Sequence, residues 1–295
     1  MELRVLRYFL AIAQAGSITK AAQTLHITQP TLSRQIKELE DELGKELIRR
    51  GSRQTELTHE GLLLRQRAEE IVGLAERTKK EFHALDTETI SGDLNIGCGE
   101  SDSLSFITDV LKGLHDTYPL IISHFYSGNT EAVLDRLDKG LLDFAVIMGL
   151  ADSEKYASLP LPGHDTWGLL MPRDCALAEK PGITPEDMTD LPIICSSQSI
   201  VRDEFSGWLG YSMSRLHIVA TYTLLFNASL LVRSGLGYAL CFDKLVSSGP
   251  DSPFVFRPLT PAFTSSLFLV WKKQQLLSQA AEAFLKETKE AGRKL

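Results

Sequence analysis

The sequence predicts an α + α/β protein, with a helical N-terminal part followed by a larger α/β domain. Up to Leu85, apolar residues recur at three- and four-residue spacing, which is typical of amphipathic helices. Beyond Ser91-Gly92, short apolar runs alternate with helical patterns, the order expected of an α/β domain. At 295 residues the chain is also long enough for more than one domain.

The first two helices are predicted from spacing and from their capping residues. An amphipathic helix over residues 3–15 has its apolar face formed by Leu3, Leu6, Phe9, Leu10 and Ala13. Gly16 ends this helix, and Ser17 is a good N-cap for the next one. The second helix is short and turns Ala21, Ala22 and Leu25 inward, and a turn at His26-Ile27 follows.

A third helix begins after Thr28, its expected N-cap, with Pro30 in the first turn, where a missing N–H costs nothing. Its inward stripe is Leu32, Ile36, Leu39 and Leu43. Its outward face carries Gln29, Pro30, Ser33, Arg34 and Lys37. Two short helices joined by a tight turn, the second presenting such side chains, indicate a helix-turn-helix. Periodicity alone is equally compatible with a three-helix bundle that has a solvated polar face.

Charge is distributed unevenly between the two parts of the chain. The net charge is −7, yet residues 1–58 hold nine Lys and Arg against seven Asp and Glu. Between Ser17 and Lys37 there are three basic residues and no acidic one. A basic N-terminal segment on an acidic chain is a weak indication of nucleic-acid binding.

The amino-acid sequence of this region resembles the N-terminal signature of LysR-type transcriptional regulators. The matching elements are Ala21-Ala22, Gln29-Pro30, Ser33-Arg34-Gln35-Ile36, Leu39-Glu40 with Leu43-Gly44, and Leu57-Thr58 with Gly61. The resemblance implies a winged helix-turn-helix over residues 1–58. The family usually has Leu-Phe-x-Arg at the entry to the wing, where this chain has Leu47-Ile48-Arg49-Arg50.

The resemblance also implies which residues meet DNA. Residues at the start of the third helix would contact the major groove and its phosphates, and these are Gln29, Pro30, Thr31, Ser33 and Arg34, with Lys37 on the same face. The basic wing, including Arg50 and Arg53, would lie at the adjacent minor groove.

Residues 59–88 are predicted to form a long linker helix that dimerises. The proline-free pattern places a seam, at alternating spacings of three and four, on Gly61, Leu64, Ala68, Ile71, Ala75, Thr78, Phe82 and Leu85. A surface helix on a monomer would also show an apolar stripe, so the pattern leaves that alternative open. In the resembled family this helix pairs antiparallel with its mate, and dimers commonly pair into tetramers.

Residues 91–295 form the predicted α/β domain. Strands are expected at Asp93–Gly99, Leu120–Tyr126 and Leu142–Met148, and helices at Leu104–His115 and Thr130–Asp138. Segments such as Gly140–Val146 and Val232–Leu240 resemble the effector domain of the same family. The resemblance implies a two-lobed fold like type 2 periplasmic binding proteins, with lobe I at about 91–161 and 267–295 and lobe II at about 162–266.

In open α/β sheets, ligands bind beyond the carboxyl ends of strands, near helix N-termini. The candidate effector contacts chosen on that basis are Ser101, Ser127, Asn129, Thr130, Ser196, Arg202 and Tyr222. Several of these residues could equally be helix caps. Glu100 and Asp102 would repel a dianion if they line the pocket, but they could instead face solvent.

The expected function is therefore sequence-specific transcriptional regulation, as activator or repressor, controlled by a small-molecule effector. Expected partners are operator DNA, the effector, further copies in a homodimer or homotetramer, and RNA polymerase if the protein activates. An enzyme using His164 with Asp165, or His217, is a rival, but G-x-S-x-G, P-loop and H-E-x-x-H motifs are missing from the sequence. A transport-type solute binder is a second rival.

No cofactor or metal is expected, because the four cysteines lack metal-ligand spacing. They are interpreted as buried free thiols, with a redox pair of Cys175 and Cys195 as the alternative. The N-terminus has no secretory signal pattern and no apolar run reaches membrane-spanning length, so we expect a cytoplasmic protein without a membrane partner.

Overall fold

The computed structural model describes residues 1–50, 55–85, 89–197 and 203–293, and the chain divides into two compact units, Met1–Asp86 and Thr87–Leu295. The N-terminal unit contains helices α1 (Leu3–Ala15), α2 (Ile18–Thr24), α3 (Gln29–Leu43) and α4 (His59–Leu85), and strands β1 (Ile48–Arg50) and β2 (Thr55–Leu57).

Capping residues set the boundaries of the first three helices. Gly16 ends α1 with φ +60°, a left-handed conformation that glycine adopts without strain. The Ser17 hydroxyl accepts a hydrogen bond from the Lys20 N–H, and the Thr28 hydroxyl accepts one from the Thr31 N–H. The three predicted helices and their caps are confirmed.

The core of this unit lies where the three helices meet. Phe9, Leu32 and Ile36 are fully buried there. Leu43, predicted on the inward stripe of α3, is instead 41% exposed, and that part of the prediction is wrong. It is the last residue of the helix, and the backbone turns away directly after it at Gly44, where φ is +65°.

A short antiparallel hairpin, β1 with β2, follows α3 and is held to it by a buried carboxylate. The Glu40 side chain accepts the N–H groups of Leu47 at 2.8 Å and Ile48 at 3.2 Å. Glu40 is only 8% exposed, although it belongs to an acidic run in the sequence. Helix α3 and strand β1 are therefore joined by side-chain hydrogen bonds as well as by the chain.

The first half of α4 packs on its own chain, which corrects the predicted continuous seam. A Cβ at Gly61 would lie 2.0 Å from the Leu47 carbonyl oxygen, so only glycine allows this close approach. Leu64 and Ala68 pack into the helix-turn-helix core, and Ala68 is fully buried. Gly61 and Ala68 are buried within the N-terminal unit and so are not available to a second copy, whereas Leu64 is only partly buried there.

Further along α4 three large apolar side chains are uncovered, although Val72 still packs on the core. Ile71 is 38% exposed, Leu74 43% and Phe82 68%. Thr78 is also exposed, and its hydroxyl donates to the Leu74 carbonyl. This half of the helix therefore has an exposed apolar stripe. It differs from the predicted seam in that it includes Leu74.

The C-terminal unit contains two separate sheets. The first has the order β4-β3-β5-β13-β6, with strands β3 (Gly92–Cys98), β4 (Ile121–Ser127), β5 (Phe144–Met148), β6 (Tyr156–Pro160) and β13 (Leu267–Lys272). Helices α5 (Ser105–Thr117), α6 (Thr130–Asp138) and α9 (Gln279–Gly292) pack on it. Phe144 and Phe284 lie in its core, with ring centroids 5.1 Å apart.

The second sheet has the order β11-β7-β10-β8-β9, with β12 paired to the start of β7. Its strands are β7 (Asp165–Pro172), β8 (Ile193–Ser196), β9 (Ile218–Tyr222), β10 (Tyr238–Phe242), β11 (Phe254–Pro258) and β12 (Thr264–Ser265). Helices α7 (Asp203–Leu209) and α8 (Leu225–Arg233) belong to this lobe. The chain crosses between the two sheets twice, before β7 and after β12.

The predicted elements of the first lobe agree closely with the structure. The helix Thr130–Asp138 has the predicted bounds. The strand expected from Leu142 begins instead at Phe144, because Asp143 N–H bonds to the Asn95 carbonyl outside the regular ladder, at 2.8 Å. Within the described ranges, no helix combines the length and the apolar character that crossing a membrane requires.

Candidate functional site

The outward face of α3 forms one wall of an open groove. Gln29, Pro30, Ser33, Arg34 and Lys37 line this groove together with Glu40, Glu46 and Ile48. The Arg34 side chain is 79% exposed and that of Lys37 is 63% exposed. The structure thus brings five of the predicted DNA-contacting residues onto one accessible surface. Thr31 lies beside them, and its hydroxyl is 2.8 Å from that of Thr28 in the helix cap.

Both cations of this surface pair with acids one turn further along the same helix. Arg34 Nε donates to Glu38 at 2.9 Å, and Lys37 lies 3.1 Å from Asp41. The hydrogen bond and charge of Asp41 raise the pKa of Lys37. Exposed pairs of this kind contribute little to stability, so a phosphate can take the place of the acid.

The wing is only partly described. Arg50 ends β1, opposite Thr55 of β2, but its side chain is outside the description. Arg53 lies among residues 51–54, which are outside the described residues. Arg49 lies opposite Glu56 in the hairpin register.

A second candidate site is the cleft between the two sheets of the C-terminal unit. It encloses about 650 Å³ of empty space, its open mouth included. The first lobe lines it with Gly99, Glu100, Gly128, Asn129 and Met148. The second lobe lines it with Trp167, Ser196, Ser197, Tyr222, Thr223, Leu225, Cys241, Phe242 and Leu245.

Three sets of bonds join the lobes around this cleft. The Glu100 carboxylate accepts the N–H of Leu225, the first residue of α8, at 2.6 Å. Asp102 pairs with Lys244 at 3.0 Å, and this contact raises the pKa of Lys244. The buried Asp165 carboxylate accepts the hydroxyls of Ser101 at 2.6 Å and of Ser103 at 3.0 Å.

The predicted effector residues divide into four groups. Asn129, Ser196 and Tyr222 line the cleft, whereas Ser101 and Thr130 line a smaller adjoining cavity. Ser127, at the end of β4, is exposed and is not part of either lining. Arg202 lies outside the described residues.

Two of these residues are also helix caps, the alternative that the sequence leaves open. Asn129 Oδ1 accepts the Ala132 N–H at 2.8 Å and so caps α6. The Ser101 hydroxyl accepts the Ser103 N–H at 3.0 Å while it donates to Asp165. Capping and lining are compatible, because the side chain of Asn129 does both.

Burial raises the pKa of two ionisable groups of the second lobe that line the cleft. Burial, with the nearby Cys241 and Glu100, raises the pKa of Tyr222 well above its ordinary value, and the Tyr222 hydroxyl donates to the Leu240 carbonyl at 2.9 Å. Burial likewise raises the pKa of the Cys241 thiol. In the described segments, His, Cys, Asp and Glu side chains form no group of three that could hold a metal ion.

Sequence reasoning missed several cleft residues. Trp167, Phe242, Cys241, Met148 and Leu225 lie in strands or at a helix start, and their apolar character predicts only core positions. The closeness of Asp165 to Ser101 and Ser103 also has no local signal, because β7 is brought to that loop only by the pairing of the lobes. Asp165, proposed as the partner of a catalytic His164, is instead held by these two serines.

Comparison with known proteins shows family matches in both parts of the chain. Residues 3–62 match the family described as bacterial regulatory helix-turn-helix protein, lysR family, and residues 87–293 match the LysR substrate binding domain. The fold resembles full-length CbnR, whose structure was solved in complex with its target DNA, with a TM-score of 0.76, 18% identity, and coverage of 99% of this chain and 100% of that one.

Among curated proteins, the chain is 35% identical over 161 residues to a hydrogen peroxide-inducible genes activator of Pectobacterium carotovorum subsp. carotovorum. That alignment covers 55% of this chain and 53% of the relative, so it spans about half the length of each. The nitrogen assimilation regulatory protein nac of Klebsiella aerogenes is 27% identical over 293 residues, which is 96% of this chain and 92% of that protein. The chain belongs to the LysR family of bacterial regulatory helix-turn-helix proteins and combines that helix-turn-helix with a LysR substrate binding domain.

Proposed function

We propose that the protein is a sequence-specific DNA-binding transcriptional regulator whose operator binding is controlled by a small molecule held between its two α/β lobes. The observation that carries this proposal is the groove along α3, where Gln29, Ser33, Arg34 and Lys37 lie together and accessible. The amide and guanidinium groups suit bidentate contacts to adenine and guanine edges, while hydroxyl and ammonium groups suit phosphates.

In this proposal α3 enters the major groove and the wing, with Arg50 and Arg53, reaches the adjacent minor groove. Thr31 supports the first turn through its hydrogen bond to Thr28 and approaches a phosphate. The Glu40 bonds support the geometry, because they fix the strand before the wing relative to the recognition helix. Because its proposed partner is operator DNA, we propose that the protein acts in the cytoplasm.

The exposed half of α4 supports assembly of a homodimer, with pairing of dimers into a homotetramer. Ile71, Leu74 and Phe82 present uncovered apolar surface along one helix. Apolar residues at such spacing bury well against a second helix. A dimer would place two helix-turn-helix units on two operator half-sites. If the protein activates transcription, it would also contact RNA polymerase.

For the effector, the supporting observation is a cleft between two lobes with polar groups along its lining. Asn129, Ser196 and Tyr222 offer amide and hydroxyl groups there, and the adjoining cavity adds Ser101 and Thr130. Ser127, the last residue of β4, and Arg202, which lies outside the described residues, stay in the proposal as effector contacts. A ligand that favours one arrangement of the lobes can shift the DNA-binding equilibrium by its difference in affinity.

A DNA shift assay over a range of salt concentrations tests the DNA-binding surface. We expect Arg34→Ala and Lys37→Ala each to weaken operator binding and to reduce the slope of log affinity against log salt by about one unit. Lys112→Ala is the matched control, because Lys112 also pairs with an acid four residues along its helix but lies on α5. If both α3 variants bind operator as the parent does, the proposed reading surface is wrong.

A further inference from the structure

We propose that the cleft between the lobes takes a small molecule bearing a positively charged ammonium group, with Glu100 as its counter-charge. This inference rests on the proposed function and gives the chemical class of the effector. It follows from three features of the cleft: helix N-termini that already have acceptors, a negative charge on the lining, and two aromatic side chains beside it.

At two helix N-termini beside the cleft, a side chain of the protein already accepts one of the N–H groups. Helix N-termini attract anions through their free N–H groups and their dipole. The N-cap of α8, Leu224, has no side chain that could cap the helix, and Glu100 from the opposite lobe takes the Leu225 N–H at 2.6 Å. At α6 the Ala132 N–H is taken by Asn129. A carboxylate ligand could reach these two N–H groups only by displacing Glu100 or Asn129.

The charge of the lining is negative. Among the described residues that line the cleft, Glu100 is the only Asp, Glu, Lys, Arg or His. The nearby Asp102 is paired with Lys244, so that ammonium group is already matched by an acid. An ionised carboxylate has about four acceptor sites, so the single bond from Leu225 leaves Glu100 able to accept from a ligand. An ammonium group would be attracted at this position, and a second carboxylate would be repelled.

Aromatic side chains provide the remaining recognition. Trp167 and Phe242 both line the cleft, with ring centroids 4.3 Å apart and planes inclined at 57°. The Trp167 indole N–H already donates to the Ser265 hydroxyl at 2.9 Å, so the indole contributes its ring and not a donor. Both rings are more than nine-tenths buried in the core of the second lobe, so each presents a small part of its surface to the cleft, where a ring attracts a cation. Met148 and Leu245 extend the apolar surface available to the rest of the ligand.

The test uses three probes of nearly equal shape and different charge on the full-length protein: benzylamine, benzyl alcohol and benzoate. Calorimetry measures the affinity of each at neutral pH. We expect benzylamine to bind about tenfold or more tightly than benzyl alcohol, and benzoate to bind most weakly. If benzoate binds more tightly than benzylamine, or if benzylamine does not bind at about 10 mM, the inference is overturned.

Glu100→Gln separates the charge of this side chain from its role as a cap. Glutamine keeps a carbonyl oxygen for the Leu225 N–H but loses the negative charge, so benzylamine should lose its advantage over benzyl alcohol. Glu131→Gln is the control, because it makes the same chemical change on an exposed turn of α6 that does not line the cleft. An undiminished preference for benzylamine in Glu100→Gln would contradict the assignment of Glu100.

The parent protein's response to the three probes needs no variant, so the inference can fail even if Glu100→Gln does not fold. Operator binding, measured separately, distinguishes this failure from that of the proposed function. Benzoate preference with normal operator binding would overturn only the ligand class. Loss of specific operator binding in the parent would overturn the proposed regulator itself.

Discussion

At the scale of single residues, carboxylates that look alike in the sequence have different roles. Glu38 pairs with Arg34 on the surface of α3. Glu40, two residues further on, is buried and accepts two backbone N–H groups of the following strand. Glu100 caps a helix that begins 125 residues away in the chain. What each carboxylate does depends on which donors the fold brings to it.

Glu40→Ala should loosen the hairpin from α3. The change leaves two N–H groups without their charged acceptor, at a cost of about 2 kcal/mol of local stability, which speeds hydrogen exchange at Leu47 and Ile48 about 30-fold. Mass spectrometry of the peptide spanning residues 45–50 measures this exchange. Asp41→Ala, an exposed acid on the same helix, is the control, and equal exchange in the two variants would contradict the role of Glu40.

The cysteines should differ strongly in reactivity, because the thiolate is the reacting form. Burial raises the pKa of the Cys98 thiol to about 11, and burial raises the pKa of Cys241 further. Cys175 is half-buried. In the native protein near pH 8, iodoacetamide should therefore modify Cys175 first, with all four thiols modified in denaturant as the control. Native modification of Cys241 as fast as Cys175 would show that the second lobe opens readily.

At the scale of elements, α4 shows how one apolar pattern serves two surfaces. Its first turns approach β1 so closely that Gly61 is required, and Ala68 is buried against the helix-turn-helix. Further along, Ile71, Leu74 and Phe82 are exposed, while Val72 still packs against the helix-turn-helix core. The helix is therefore anchored within the N-terminal unit at its start and has uncovered apolar surface along its second half.

We expect Ile71→Asp combined with Phe82→Asp to give monomers that bind operator weakly. A carboxylate buried without a partner between two helices costs about several kcal/mol of association free energy. This cost is comparable to the free energy that pairing of two helices can provide. Light scattering measures the assembly state. An oligomer of unchanged size would mean that this half of α4 is not the interface between copies.

Gly61→Ala is the complementary variant. The added Cβ would collide with the Leu47 carbonyl, so the helix-turn-helix should be destabilised while the exposed half of α4 is untouched.

At the scale of the whole effector domain, the two lobes are joined by polar bonds as well as by the chain crossings. Asp165, at the start of β7, is 3% exposed and accepts from Ser101 and Ser103 in the opposite lobe. The Asp102–Lys244 pair is much more exposed. Buried bonds to a charged acceptor stabilise far more than exposed ion pairs do, so Asp165 should contribute most to holding the lobes in this arrangement.

Asp165→Asn should lower the melting temperature of the effector domain by about 5 °C, because an amide cannot accept from both serines and places a donor against them. Asp102→Asn should change the melting temperature little, since its partner is exposed. Calorimetry of the full-length variants measures both effects. A larger loss in Asp102→Asn than in Asp165→Asn would contradict this ranking.

The sequence by itself determined the elements whose signals are local. Ser17, Thr28 and Gly16 define helix boundaries through bonds to neighbours a few residues away, and the periodicity of α1, α3 and α6 follows from one buried face. It also predicted the accessible set on α3, because residues on one helix face are neighbours in any fold that buries the opposite face.

The tertiary structure alone decided which of these residues meet others far along the chain. The packing of Gly61 against Leu47, the capping of Leu225 by Glu100 and the entry of Trp167 into the cleft all depend on contacts between distant segments. Apolar spacing is the same whether a face is covered by its own domain, by a second copy or by a ligand. Periodicity therefore identified the stripe of α4 and the strands of the second lobe, and only the three-dimensional arrangement showed which of these faces the chain itself covers.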